Sequence, residues 1–389
     1  MLNPETFRAV ERETADALVL GGGVIGLAIA RALSLRGLAR VLLVERGRLG
    51  MEASHAAAGM LAPQVEADRA DDFLELACKS RDLYPAFALE LREETGIDIE
   101  LETTGTLLLA FNERDEEEAL RRYDWQSRAG LHVEHLTAKE ARRLEPCISP
   151  ALRGALRFPR DWQVENRRLV AALAAASDRL GVRLLTDTNV ESLQIERGRV
   201  TGIETSRGRL SAPTVVVACG AWASLLTSGD KRVPRVRIEP VRGQMLCFEA
   251  NPRAARHVIY SPRGYIVPRL DGRLLAGSTT EHEGFDKSVT GNGLQAIMEQ
   301  ALEIAPAIGN LPLLDTWAGL RPRAPDDLPV LGMSAEVNGL FYATGHYRNG
   351  ILLAPLTAEL IAEQIAGGDG ARAQWSAFSP DRFQPIGVN

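Results

Sequence analysis

The chain has no excess of positive charge. Its 45 Lys and Arg stand against 51 Asp and Glu, and a net charge of -6 offers nucleic acid no basic field. Cysteine is scarce as well. Cys78, Cys147, Cys219 and Cys247 lie far apart with no C-x-x-C pair, so they match neither a disulfide framework nor a zinc site and read as reduced, buried thiols. Residues 1–16 lack the apolar core of a secretory signal and carry Glu11, Arg12 and Glu13, which predicts a loose N-terminal extension. Long hydrophobic runs are missing too: residues 17–35 are broken by glycines, Arg31 and Ser34, so they cannot cross a bilayer as one helix. Together these absences predict a cytoplasmic protein with neither nucleic acid nor membrane as partner. They leave open whether it forms a homo-oligomer.

What is present is an ordinary globular composition, 45% hydrophobic over 389 residues, enough for one large or two ordinary domains with a ligand cleft between them. The run 17–20 is short, wholly apolar and followed by Gly21-Gly22-Gly23, the pattern of a buried parallel strand ending in a tight turn. An Ala- and Leu-rich helix over 24–36, closed by Gly37, and a second apolar strand at 41–44 complete a βαβ unit. Helical periodicity returns at 71–94, 169–180, 292–305 and 351–366, and charged surface helices are expected at 114–129 and 138–144. Strands are expected at 105–111, 182–185, 190–195, 200–204, 214–218 and 340–344. Several more come in quick succession between 236 and 276 with Gly and Pro turns. The reading is an α/β fold: a Rossmann-like domain joined to an α+β domain with a mostly antiparallel sheet.

Gly21-x-Gly23-x-x-Gly26 lies between strand and helix, where a dinucleotide turn requires glycine. The first makes the turn, the second admits the pyrophosphate and the third lets helix and strand pack closely. Glu45 ends the second strand nineteen residues beyond Gly26, where a carboxylate accepts from ribose hydroxyls. NAD and FAD both fit such a unit. Small residues around Ser54, Ala56, Ala57, Ala58 and Gly59 would let backbone lie against a flat cofactor, and Gly220 and Gly345 close two further strands.

Four segments carry a resemblance over nearly the whole chain: residues 56–61 (AAAGML), 264–269 (GYIVPR), 317–322 (WAGLRP) and 345–355 (GHYRNGILLAP). They resemble the D-amino acid oxidase family of flavoproteins, specifically its glycine oxidase group. The resemblance implies non-covalent FAD held by Val24, Ile25, Glu45, Arg46, Ala53, Ser54, Ala58, Gly59, Met60, Val190, His346, Tyr347, Arg348, Asn349, Gly350, Ile351 and Leu352. It puts Arg321, Arg348 and Tyr265 at substrate positions. It implies a small amino acid, glycine first, with sarcosine and small D-amino acids less efficient. Oxygen is the acceptor and the products are an oxo acid, ammonia or amine, and peroxide. The activity is linked to imine supply for the thiamin thiazole ring. On this reading 17–98, 160–235 and 318–389 form the FAD-binding domain, and 99–159 and 236–317 the substrate domain. Two positions depart from the family pattern, Arg263 and Thr280, and both are expected to affect the pocket.

The residues themselves support the chemistry. A carboxylate is best met by a guanidinium, planar and always charged, and the apolar setting of Arg321 makes an unpaired arginine costly unless an anion arrives. A structural ion pair is the competing role for Arg321, loop orientation for Arg348 and core packing for Tyr265. His132 and His135 stand in a charged surface stretch and no metal is expected. No acid or base is needed for hydride transfer from the α-carbon to flavin N5, so the protein's task is aim. The helix from Gly350 would direct its positive end at the flavin. A flavin dehydrogenase passing electrons to a quinone and a non-enzymatic flavin-binding module are the rival readings. A sarcosine oxidase would carry a flavin-linking cysteine in 324–329, where none stands.

Overall fold

The computed structural model describes residues 13–229, 231–232, 236–367 and 375–383. Most of the expected N-terminal extension and the glycine connection at 368–370 lie outside the described residues. Glu13–Thr14, placed in that extension from sequence, is instead a short strand paired in parallel with Gly208–Ser211.

Two sheets organise the chain. The first has six strands in the order Val330–Met333, Leu340–Thr344, Val215–Val217, Ala17–Leu20, Val41–Val44 and Arg183–Leu185. Every pair is parallel except Val330–Met333 with Leu340–Thr344. Burial on both faces explains why its central strands read as continuous apolar runs rather than alternating ones. Helices Val24–Leu35, Asp72–Thr95, Asn166–Arg179 and Gly350–Ile365 share one apolar core with this sheet. A four-stranded sheet holding Val190–Glu196 and Arg199–Thr205 contributes to the core on the other side. At the first turn the need for glycine is steric: a Cβ on Gly26 would sit 1.9 Å from the Gly21 carbonyl oxygen, a backbone atom that cannot step aside.

The second sheet has eight strands in the order Leu313–Arg323, Glu239–Glu249, Arg273–Gly277, Tyr265–Pro268, Val258–Tyr260, Thr106–Ala110, Gly154–Phe158 and Glu134–Thr137. Only Val258–Tyr260 with Thr106–Ala110 is parallel. Three of these strands, Glu134–Thr137, Gly154–Phe158 and Leu313–Arg323, are not among those read from sequence. The last matters most: it runs across the domain boundary expected at 317/318 and carries Arg321.

One buried side chain ties the two layers together. Arg269 is 2% exposed, and burial pushes its pKa down to about 10. Its Nη1 donates to the Val164 carbonyl (2.7 Å), and its Nη2 to the Ala58 carbonyl and to Asn166 Oδ1 (both 2.9 Å). Asn166 in turn donates through Nδ2 to the carbonyls of Ser54 (2.8 Å) and His55 (3.2 Å). The second sheet thus grips the 54–59 segment through a guanidinium whose acceptors are nearly all uncharged. Removing it leaves several buried acceptors unpaired, at about 1 to 3 kcal/mol each. Arg269→Met should therefore lower the unfolding free energy by about 3 kcal/mol or more, read from denaturant midpoints at constant m; a loss under about 1 kcal/mol would show that the latch carries no weight.

Candidate active site

Between the two sheets lies a cavity of about 500 Å³, within the size range of small-molecule sites. Gly21, Gly23, Val24, Ile25, Glu45, Arg46, Ala53, Ser54, Ala58, Gly59, Met60, Val190 and Gly220 line it, as does the whole stretch from His346 to Ile351. Two expected members do not. Gly26 lies beneath the turn, where it serves packing. Leu352 is 1% exposed and belongs to the apolar core, because the third residue of a helix entering the sheet layer faces inward.

Two helices open onto this cavity. Val24–Leu35 starts on Gly23, which has no side chain to cap it, and Ser54 Oγ takes only the Val24 N–H (2.9 Å). Gly350–Ile365 likewise starts without a side-chain cap, with Gly350 and Ile351 on the cavity wall. Unsatisfied N–H groups and the positive end of the dipole favour anions at both mouths. Glu45, on the cavity wall, is held from two sides, accepting the Gly22 N–H on Oε2 (2.7 Å) and the Gly47 N–H on Oε1 (2.9 Å), which leaves each oxygen further capacity to accept. Cys219 also lines the cavity, but burial pushes its thiol up to about 12, which rules out a thiolate nucleophile.

At the other end stand two arginines in opposite circumstances. Arg321 Nη1 donates to the Thr279 carbonyl (3.1 Å) and Nη2 to Ser278 Oγ (2.7 Å), and among the described residues no carboxylate pairs with it. Arg321 is half-buried, and the desolvation lowers its pKa from the ordinary guanidinium value. Arg348 has its own counter-ion: Nε lies 3.7 Å from Glu66 Oε1, and Glu66 is the main reason its pKa is raised. Tyr260 donates its O–H to the same Glu66 oxygen (2.8 Å). The Tyr265 ring lies 5.3 Å from that of Tyr260, and among the described residues its hydroxyl meets the Met245 sulfur alone, 3.5 Å away. Glu66, Tyr260, Met245 and Gly243, all cavity-lining, were not read from sequence.

Both departures from the family pattern fall away from the cavity wall. Arg263 pairs with Asp115 (2.9 Å) and Glu303 (2.6 Å), which hold it on its own side of the sheet, and Thr280 is exposed. His132 sits at the surface, 3.7 Å from Glu134, and among the described residues no His, Cys, Asp or Glu group is placed to hold a metal. No helix among them is long and apolar enough to cross a membrane.

The DAO family model, described as FAD dependent oxidoreductase, matches residues 16–364. The chain belongs to this family of FAD-dependent oxidoreductases. It is 39% identical over 353 residues to a curated protein named glycine oxidase from Geobacillus kaustophilus, covering 90% of this chain and 92% of that protein. The crystal structure of glycine oxidase from that organism superposes with a TM-score of 0.90 at 38% identity, covering 96% of this chain and all of the other. The crystal structure of an L-proline dehydrogenase from P. horikoshii gives 0.85 at 25% identity, covering 96% and 98%. FAD is thus the cofactor of this oxidoreductase, and the cavity suits it. The first helix mouth would hold the diphosphate, Glu45 a ribose, the small residues 56–59 a flat ring, and the Gly350 helix mouth the ring's electron-rich edge.

His346 shows how dry this site is. It is 4% exposed, its Nε2 meets Thr357 Oγ1 at 3.1 Å, and burial pulls its pKa down to about 3. The folded imidazole therefore stays neutral while the unfolded one protonates below about 6.5. Its contribution to stability is complete above that value and is lost as pH falls toward 3, by about 1.4 kcal/mol per pH unit. Between pH 7 and 5 the unfolding free energy of the parent should drop by about 2 kcal/mol more than that of His346→Gln; parallel curves would mean the ring titrates freely.

Proposed function

We propose that this oxidoreductase oxidatively deaminates a small amino acid, glycine foremost, with sarcosine and small D-amino acids as slower substrates. Oxygen is the acceptor, and the products from glycine are glyoxylate, ammonia and hydrogen peroxide. The imine first formed is also the species that thiazole assembly for thiamin would draw on. The observation that carries the reading is the Arg321 guanidinium: half-buried, unpaired with any carboxylate among the described residues, and facing the cavity that suits FAD. The name of the Geobacillus relative points the same way.

Bound FAD supplies the hydride acceptor; the chain supplies placement. Arg321 takes the carboxylate through two N–H donors, which fixes one end of a molecule too small to need other contacts. Tyr265, whose hydroxyl has no strong partner among the described residues, adds a third donor. With the carboxylate fixed, the α-carbon is held at near-attack distance, and the neutral amine's lone pair drives out the hydride, so no side chain has to act as base. His346 cannot serve as one in any case, since its ring is bonded to Thr357 in a buried setting. Arg348, neutralised by Glu66, shapes the wall instead of competing for the anion. Tyr260 and Tyr265 narrow the space beside it.

The L-proline dehydrogenase likeness favours a second reading, in which the same half-reaction passes electrons to a quinone. Anaerobic mixing with glycine, sarcosine, D-alanine and D-proline separates the substrates by how fast the oxidised flavin absorption bleaches, and glycine should lead. Admitting air should then yield one peroxide per glycine consumed; dye reduction without peroxide would install the dehydrogenase reading. Arg321→Ala should weaken binding of the carboxylate by about 2 to 5 kcal/mol, as for one partner of a desolvated pair. Unchanged affinity would remove Arg321 from the site.

A further inference from the structure

Gly243 stands in the middle of the strand Glu239–Glu249 with no conformational need to be glycine, since it is not among the residues of positive φ. Glycine inside a strand weakens it and usually marks a close approach. Here the approach is by Arg321. In the antiparallel register Val241 faces Arg321 and Gly243 faces Gly319, so all four share one face of the sheet and Arg321 leans along it over Gly243. A Cβ at position 243 would lie 2.2 Å from Nη1, 2.2 Å from Nη2 and 2.3 Å from Cζ of Arg321. The Nη end of the guanidinium thus occupies the space that a side chain at 243 would need, with one N–H of Nη1 on the Thr279 carbonyl, one of Nη2 on Ser278 Oγ, and the other donors left over.

We infer that Gly243 is a positioning residue for the carboxylate-binding guanidinium: its missing side chain is the seat on which Arg321 lies. This rests on the proposed role of Arg321. The atoms a Cβ would meet are the far end of a flexible side chain, not backbone, so the strand accepts a methyl group by letting the guanidinium move. The damage therefore falls on ligand position rather than on the fold. The facing glycine does a different job. A Cβ on Gly319 would meet Ala56 Cβ at 2.4 Å, which couples that position to the cofactor-lining segment instead of to Arg321.

The test is a double-mutant cycle on the FAD-loaded protein, with acetate as a carboxylate probe that carries no amine, its binding read from the flavin absorption change. Gly243→Ala should raise the acetate Kd and the glycine KM at least tenfold, with KM changing more than kcat and FAD content retained. In an Arg321→Ala background the same substitution should add less than twofold, because nothing is left to displace. Equal loss in both backgrounds, or no loss in the first, overturns the inference. If Gly243→Ala fails to fold, Gly243→Ala with Arg321→Ala should fold, and failure of both overturns it as well. Should Arg321→Ala alone leave acetate binding unchanged, it is the role of Arg321 that fails, a result distinct from the others.

Discussion

The arrangement depends on one half-buried guanidinium that no acid pairs with among the described residues. Burying a charge is expensive, and a chain normally meets the cost with an internal ion pair. For Arg321 it provides a carbonyl and a hydroxyl, which orient the group while leaving its charge uncompensated. The contrast with Arg348 sharpens the point. Two arginines share a cavity wall, and among the described residues Glu66 pairs with Arg348, held there by Tyr260, while no acid pairs with Arg321. The wall therefore keeps a net positive charge at one defined place, which suits a ligand with a single carboxylate.

The rest of the fold brings that charge to the edge of the cofactor groove. The parallel sheet delivers two uncapped helix mouths to the same cavity, and the antiparallel sheet delivers Arg321 on its edge strand. The layers are held in register by buried polar contacts rather than by apolar packing alone. Arg269 from the second sheet and Asn166 from the start of the helix Asn166–Arg179 grip the 54–59 segment, and the Tyr347 N–H reaches the Pro322 carbonyl (2.9 Å), next to Arg321 itself. Tyr347 accepts a left-handed φ of 47° to make that contact. Such strain persists only where surrounding structure over-determines it, and here it sits between the loop that lines the cofactor groove and the strand that holds the ligand's counter-ion.

Legibility in the sequence followed the range of the forces. The first strand, its glycine turn and the helix after it were readable because each is dictated locally, by burial on both faces and by backbone that only glycine can adopt. The resemblance supplied Arg321, Arg348 and Tyr265 as candidates but not their states of pairing. The strand Leu313–Arg323 was missed because its first three residues are exposed, and it shows no apolar alternation along its length. Glu66 was missed for a different reason. In sequence it is one more acid at the end of a four-residue helix, and only the tertiary fold sets it beside Arg348 and Tyr260. Leu352 was over-read: a motif names a stretch, and helical geometry decides which members of it reach the groove.

The two glycines that face each other across the edge of the second sheet show what such a site costs its fold. Each gives up side-chain packing in a strand, where glycine is disfavoured, and neither does so for the sake of its backbone. One vacates space for a guanidinium and the other for the cofactor-lining segment. The proposed substrate anchor and the cofactor wall are thus fitted to opposite members of a single cross-strand pair. A pleated strand sets the spacing of such neighbours within fractions of an ångström, whereas loops do not. On the proposed reading, sheet register, the most rigid ruler the fold contains, would fix the distance between carboxylate anchor and flavin, and a substrate as small as glycine, with no side chain to help align it, would need that rigidity most.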